Sequence, residues 1–373
     1  MAKSGSTKAR EKSTAGQPQF DTAKFINPAQ IGGIEAYTFD DGPARGGRAL
    51  CINTGGGLRY RVLVDRGLDI DQAFVHQHSL AFLTHKGPTA LTRGHDRGID
   101  WLKSFPGGLL TSCGPFNIGG PGTDAGEELG LHGPHSNTAA TIESVINPDP
   151  RSGRLAMSIT GIVRYGRLFG PCVELRRTIA STLGSNTIEF TDEFFNAGNQ
   201  TVPHAWLLHI NFGYPLVDEG TELCFDAANV EPVDSEVSKA RFKPGVDYKR
   251  ISAPLESHRG ATEYVAHVYP KPVDRSGKTT VGIVNRKLGI GAAIYYNTKE
   301  FPRLANWQHL GPHEYVTALE PANGSVTGRW NDRAAGIMDS LAAGERKTYQ
   351  YAIEAVTERG AIDKLRELNS MGK

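Results

Sequence analysis

Apolar and polar residues alternate along most of this chain with a period of two. In TIEFTDEFFN, Ile188 and Phe190 flank Glu189, as in a strand with one buried and one wet face. The stretches LRYRVLV, RLAMSITGIVRYG, CVELRRTIAST, VGIVNRKLGIGAAIYYN, YVTALEP and RKTYQYAIEAV repeat the pattern, with turn-forming residues between them. Many short strands and few helices predict a large antiparallel β-sandwich or barrel, not an alternating βαβ fold. Two segments read differently. RGIDWLKSFPGG predicts a short helix from about Gly98 to Phe105, stopped by Pro106, and GAIDKLRELNS sets Ile362, Leu365 and Leu368 on one face of a docked terminal helix. Glu231 to Glu263 is polar, holds Pro232, Pro244 and Pro254, and reads as a long excursion between strands that could close over a site. A disordered polar tail over 1–20 and one domain over 21–373 are the expected organisation.

Composition narrows the picture. The 44 glycines and 21 prolines suit a fold rich in turns. With 41 Lys+Arg against 40 Asp+Glu, the net charge of +1 predicts no nucleic-acid partner. Cys51, Cys113, Cys172 and Cys224 form no C-x-x-C pair, so neither a zinc knuckle nor a redox couple is signalled. No apolar run approaches the roughly 20 residues of a membrane span, and the first twenty residues lack the apolar segment of a secretory signal. The expectation is a reduced, soluble, cytoplasmic protein, monomer or homodimer, without a membrane partner.

Three polar islands interrupt the strands. ELGLHGPHSN carries His132 and His135, with Gly130, Gly133 and Pro134 arguing against a helix, so the pair belongs on a loop or at a strand end. HAWLLHINFGYPL carries His209 and Asn211 on one side of a predicted strand and His204 on the other, the latter read as structural. A buried face bearing His and Asn is either a polar core network or a ligand site. TALEPANGS predicts a strand that ends at Glu320 and is stopped by Pro321, which would aim a carboxylate at a cleft.

These islands, in this order, resemble the galactose mutarotase (aldose 1-epimerase) superfamily, over about residues 30 to 355. The matching elements are LHG at Leu131 to Gly133, HINF at His209 to Phe212 and ALEP at Ala318 to Pro321, while DRGLDI (Asp65 to Ile70) and LHGPHS resemble a less characterised branch. HINFGYPL lacks the Tyr-Phe pair of the familiar histidine motif, and His135 is an additional histidine. The resemblance implies a galactose mutarotase-like supersandwich and an isomerase that works on the anomeric centre of a monosaccharide or sugar derivative. It implies Glu320 as base, His209 as acid and His132 as a substrate-binding residue.

Opening the hemiacetal ring takes a proton from the C1 hydroxyl and delivers one to the ring oxygen. In this assignment Glu320 rests ionised and His209 cationic. His135, Asn211 and Arg66 are further candidates to hold the sugar, Arg66 alternatively forming an ion network with Asp65 and Asp69. Trp307 could stack on the pyranose, with Gln308 and His309 reaching its hydroxyls, or be a packing residue. Arg66, Arg93 and Arg97 permit an acidic or phosphorylated substrate. No cofactor or metal is expected. Two alternatives stand beside this reading: a metal-dependent isomerase or lyase using His132, His135, His209 and Glu320, and a non-catalytic carbohydrate-binding protein.

Overall fold

The alternating stretches form antiparallel sheets. The computed structural model describes residues 20–370 apart from 93, 95 and 96, so nearly all of the expected polar tail, and Arg93, lie outside the described residues. An eight-stranded sheet runs in the order Ala140–Ile146, Ala156–Gly166, Cys172–Thr182, Thr187–Asn196, Arg346–Val356, Ile290–Asn297, Lys278–Asn285 and Glu222–Cys224. A six-stranded sheet packs against it in the order Ala227–Pro232, Tyr264–Pro270, Arg303–Leu310, Tyr315–Ala322, Leu207–Gly213 and Thr111–Cys113. A five-stranded meander over residues 33–79 completes the layers. This is the predicted all-β sandwich with few short helices: three α-helices occur among the described residues.

Burial follows the period-two pattern. In Thr187–Asn196, Ile188, Phe190, Asp192, Phe194 and Asn196 are all buried, and every residue between them is less so. One apolar cluster joins Phe190, Phe194, Ile294 and Ile353 of the larger sheet to Leu208, Ile210, Phe212 and Leu304 of the smaller one. Asp192 does not break this core because Arg177 meets it with two parallel N–H···O contacts of 2.8 and 2.9 Å, while Trp206 Nε1 and Tyr351 OH also donate to it. Arg177 further donates to Asp69 and Ser112, tying the larger sheet to the meander and to the Thr111–Cys113 strand. A buried charge survives in such a place only when each lone pair and N–H finds a partner.

The terminal helix forms over Arg359–Glu367 and buries Ile362 and Leu365 against Cys224, Val284, Ala293 and Val356. Three expectations change. The helix read over about Gly98 to Phe105 is a single 3-10 turn at Asp100–Lys103, since Gly98 takes φ +49° and breaks the helical path. The strand of Glu320 runs on through Pro321 to Ala322. The excursion between Ala227–Pro232 and Tyr264–Pro270 holds a short helix at Glu236–Arg241. All four cysteines are free.

Candidate active site

Strand register brings two of the predicted residues together. The Leu207–Gly213 and Tyr315–Ala322 strands pair Leu207 with Ala322 and Ile210 with Leu319, which sets His209 opposite Glu320. The ladder skips the two positions in between, one of which is Pro321, a residue with no N–H to give. That tolerance is why a proline does not end the strand. His209 Nδ1 lies 3.5 Å from Glu320 Oε1, and both atoms are buried without a hydrogen-bond partner. Orphaned polar atoms are rare in packed interiors, and here a potential donor and acceptor face each other just beyond ordinary bonding distance.

The pair forms the floor of a cavity of about 790 Å³ lined also by Trp101, Phe105, His132, Trp307 and His309. Trp101 stacks on Phe105 with ring centroids 4.6 Å apart and contacts His132 at 4.7 Å, while the rings of His132 and Trp307 each approach His209 at 5.5 Å. The backbone around His132 is in the left-handed region at His132 (φ +58°) and Gly133 (φ +72°), which turns the imidazole inward. A Cβ on Gly133 would sit 2.7 Å from the Gly114 carbonyl oxygen, so glycine is required there. The Gly119 N–H donates to His132 Nδ1 at 3.3 Å, so the neutral ring carries its proton on Nε2, free for a ligand. Trp307 Nε1 donates to Glu263 at 2.7 Å, fixing the indole as a cavity wall.

Burial dominates the electrostatics. It raises the Glu320 carboxyl well above the usual carboxylate range, and the nearby Glu263 charge adds to the shift. Burial lowers His209 to about 4, against an opposing contribution from Asn211, and pushes His132 well down, helped by His209. Burial thus favours the neutral form of each group, against the expected ionised Glu320 and cationic His209. The count of one shared proton is the same in both descriptions.

Four predicted ligand residues lie off the cavity. His135 is buried behind it, its Nδ1 2.5 Å from Tyr165 OH and its Nε2 3.4 Å from Asp69. It therefore does not join His132, and the four-residue metal set is not assembled. Among the described residues, no three His, Cys, Asp or Glu side chains converge to hold a metal ion. Arg66 is buried, donating to Asn137 Oδ1 and the Ser104 carbonyl. Asp65 pairs instead with Arg48, so the alternative Asp65–Arg66–Asp69 network does not form as drawn. Asn211 shares the face of His209 but is covered, its amide donating to the Gly107 and His209 carbonyls. Gln308 points to the opposite face from Trp307, bonded to Tyr248, Asn306 and Arg241. Arg97 is not among the cavity-lining residues. Sequence reasoning missed Trp101, Phe105 and Glu263 as wall residues. For Glu263 the signal was present, since it closes the excursion that was expected to cover a site.

A second cavity of about 740 Å³ lies over the meander, lined by Arg59, Arg61, Gln72 and Phe74 among others, and contains no histidine.

Residues 44–355 match the domain of unknown function DUF4432. The chain belongs to the DUF4432 family. No curated protein matches it. Among solved structures, this DUF4432 chain is similar to a candidate aldose 1-epimerase from Klebsiella pneumoniae, with TM-score 0.82, 20% identity and coverage of 93% of this chain and 91% of that one. A galactose mutarotase-like protein from Clostridium acetobutylicum matches with TM-score 0.61, 12% identity and coverage of 88% and 100%. A galactose 1-epimerase from Lactobacillus acidophilus matches with TM-score 0.55, 10% identity and coverage of 87% and 98%. The DUF4432 chain therefore has the galactose mutarotase-like fold.

Proposed function

We propose that this DUF4432 protein is an aldose 1-epimerase-like isomerase that interconverts the anomers of a monosaccharide or sugar derivative. The observation that carries the reading is the buried His209–Glu320 pair, 3.5 Å apart and otherwise unpartnered on the floor of a cavity. Structural likeness to proteins described as aldose 1-epimerases supports the same assignment.

The neutral pair can open the ring without separating charge. One Glu320 oxygen accepts the C1 hydroxyl proton as the other passes its own to His209 Nδ1. His209 Nε2, the nitrogen left to face the cavity, gives its proton to the ring oxygen. The C1–O5 bond breaks, C1 becomes an aldehyde, and both side chains end neutral. Rotation about C1–C2 and the reverse relay close the ring on the other face. Proton transfers of this kind contribute roughly 10²–10⁴-fold each. His132 Nε2–H holds a hydroxyl, and Trp307 or Trp101 packs on the ring.

Saturation-exchange NMR on a panel of aldoses tests the reading. At least one sugar is expected to exchange anomers faster than in buffer, with Glu320→Gln and His209→Asn each removing most of the excess. Exchange at the buffer rate for the whole panel would overturn it.

A further inference from the structure

The cavity changes character from floor to mouth. The floor holds the polar groups, His132, His209 and Glu320. The more open part of the lining includes Ile99 and Leu102, which are 62% and 54% exposed, and Val233 and Phe82 also line the cavity. Exposed aliphatic side chains beside a cavity gain when a ligand's apolar surface covers them.

Several charged side chains of the rim have contacts within the chain. Lys103 pairs with Asp100 at 2.6 Å, Lys86 donates to the Lys103 carbonyl, Glu263 accepts from Trp307, and Glu314 lies 3.7 Å from His309. Beside them, Ile99 and Leu102 offer apolar surface to a ligand. The volume agrees: about 790 Å³ lies in the upper part of the roughly 300–1,000 Å³ that encloses drug-sized ligands, and one pyranose leaves much of it unfilled.

We propose that the substrate is an aldose with a free anomeric hydroxyl and an apolar substituent at the end of the ring remote from C1, which the Ile99–Leu102 rim covers. The inference rests on the anomeric chemistry proposed above, because C1 against His209 and Glu320 turns C4 to C6 toward the mouth.

The test compares D-galactose with 6-O-benzyl-D-galactose. Anomer exchange gives kcat/KM for each sugar, and quenching of tryptophan fluorescence gives binding, in the native protein and in a variant carrying Ile99→Ser and Leu102→Ser. The benzyl sugar is expected to exceed galactose in kcat/KM by at least about tenfold, the effect of burying roughly 60 Å² of apolar surface. In the variant this ratio falls to within about twofold. Equal turnover of both sugars by the native protein overturns the apolar subsite and leaves the isomerase reading intact. If neither sugar turns over, the isomerase reading fails for them and binding decides. Tighter binding of the benzyl sugar by about tenfold, lost in the variant, upholds the subsite, and equal binding overturns it.

Discussion

Glu320 illustrates how one side chain is held against its own preference. Its carboxyl is buried, raised well above the usual range and short of a partner for Oε1. A carboxyl whose folded pKa is raised favours the fold fully only below its unfolded value near 4.5, and that contribution is lost as pH rises through the folded value. Glu320→Gln removes this dependence. Its Tm should exceed that of the native protein at pH 8 and converge with it near pH 4, while anomer exchange falls by about 10²-fold or more. A Tm difference that does not depend on pH would contradict the burial argument. His132 calls for a different outcome. Its Nε2–H is assigned one neutral hydrogen bond, worth about 0.5–1.5 kcal/mol, so His132→Ala should raise KM about threefold to tenfold with a smaller change in kcat.

At the level of elements, the turn from Leu63 to Asp69 and the loop bearing His135 constrain each other. Gly67 has φ +66°, and a Cβ there would lie 2.4 Å from His135 Nε2. Gly67→Ala should therefore cost about 2 kcal/mol or more, combining left-handed strain with a clash against a ring that Tyr165 holds in place. Thermal or denaturant unfolding measures it. The strands were legible because their period of two reports burial directly, and the grouping of His132, His209 and Glu320 about one cavity was legible where residues resembled a known series. Gln308 was misplaced although strand parity decides it: a neighbour of Trp307 must face the other way. His135 was misplaced for a different reason. It follows His132, itself left-handed, across a left-handed glycine and a proline, and no periodicity tells where such a turn aims its side chains. Pro321 misled because its effect depends on whether the facing ladder needs its N–H, a property of the partner strand.

Across the whole molecule, buried histidines set the acid limit of stability. Burial lowers His209 to about 4 and His204 to about 3, and it also lowers His132 and His135. Below pH 6.5 the unfolded chain binds protons at these positions while the fold does not, so stability present above pH 6.5 is lost as pH falls toward 4. Tm measured in steps from pH 7 to pH 4 should fall more steeply in the native protein than in a His204→Gln variant compared with its own value at pH 7. The long excursion has a consequence at the same scale. It leaves the smaller sheet after Pro232 and returns at Tyr264, and only its two ends, Val233 and Gly260 to Glu263, reach the cavity. His209 and Glu320 stand instead on two adjoining strands whose register is fixed by the sandwich. A different connection between Pro232 and Tyr264 would thus reshape the entrance of the cavity and leave the facing of His209 and Glu320 as it is.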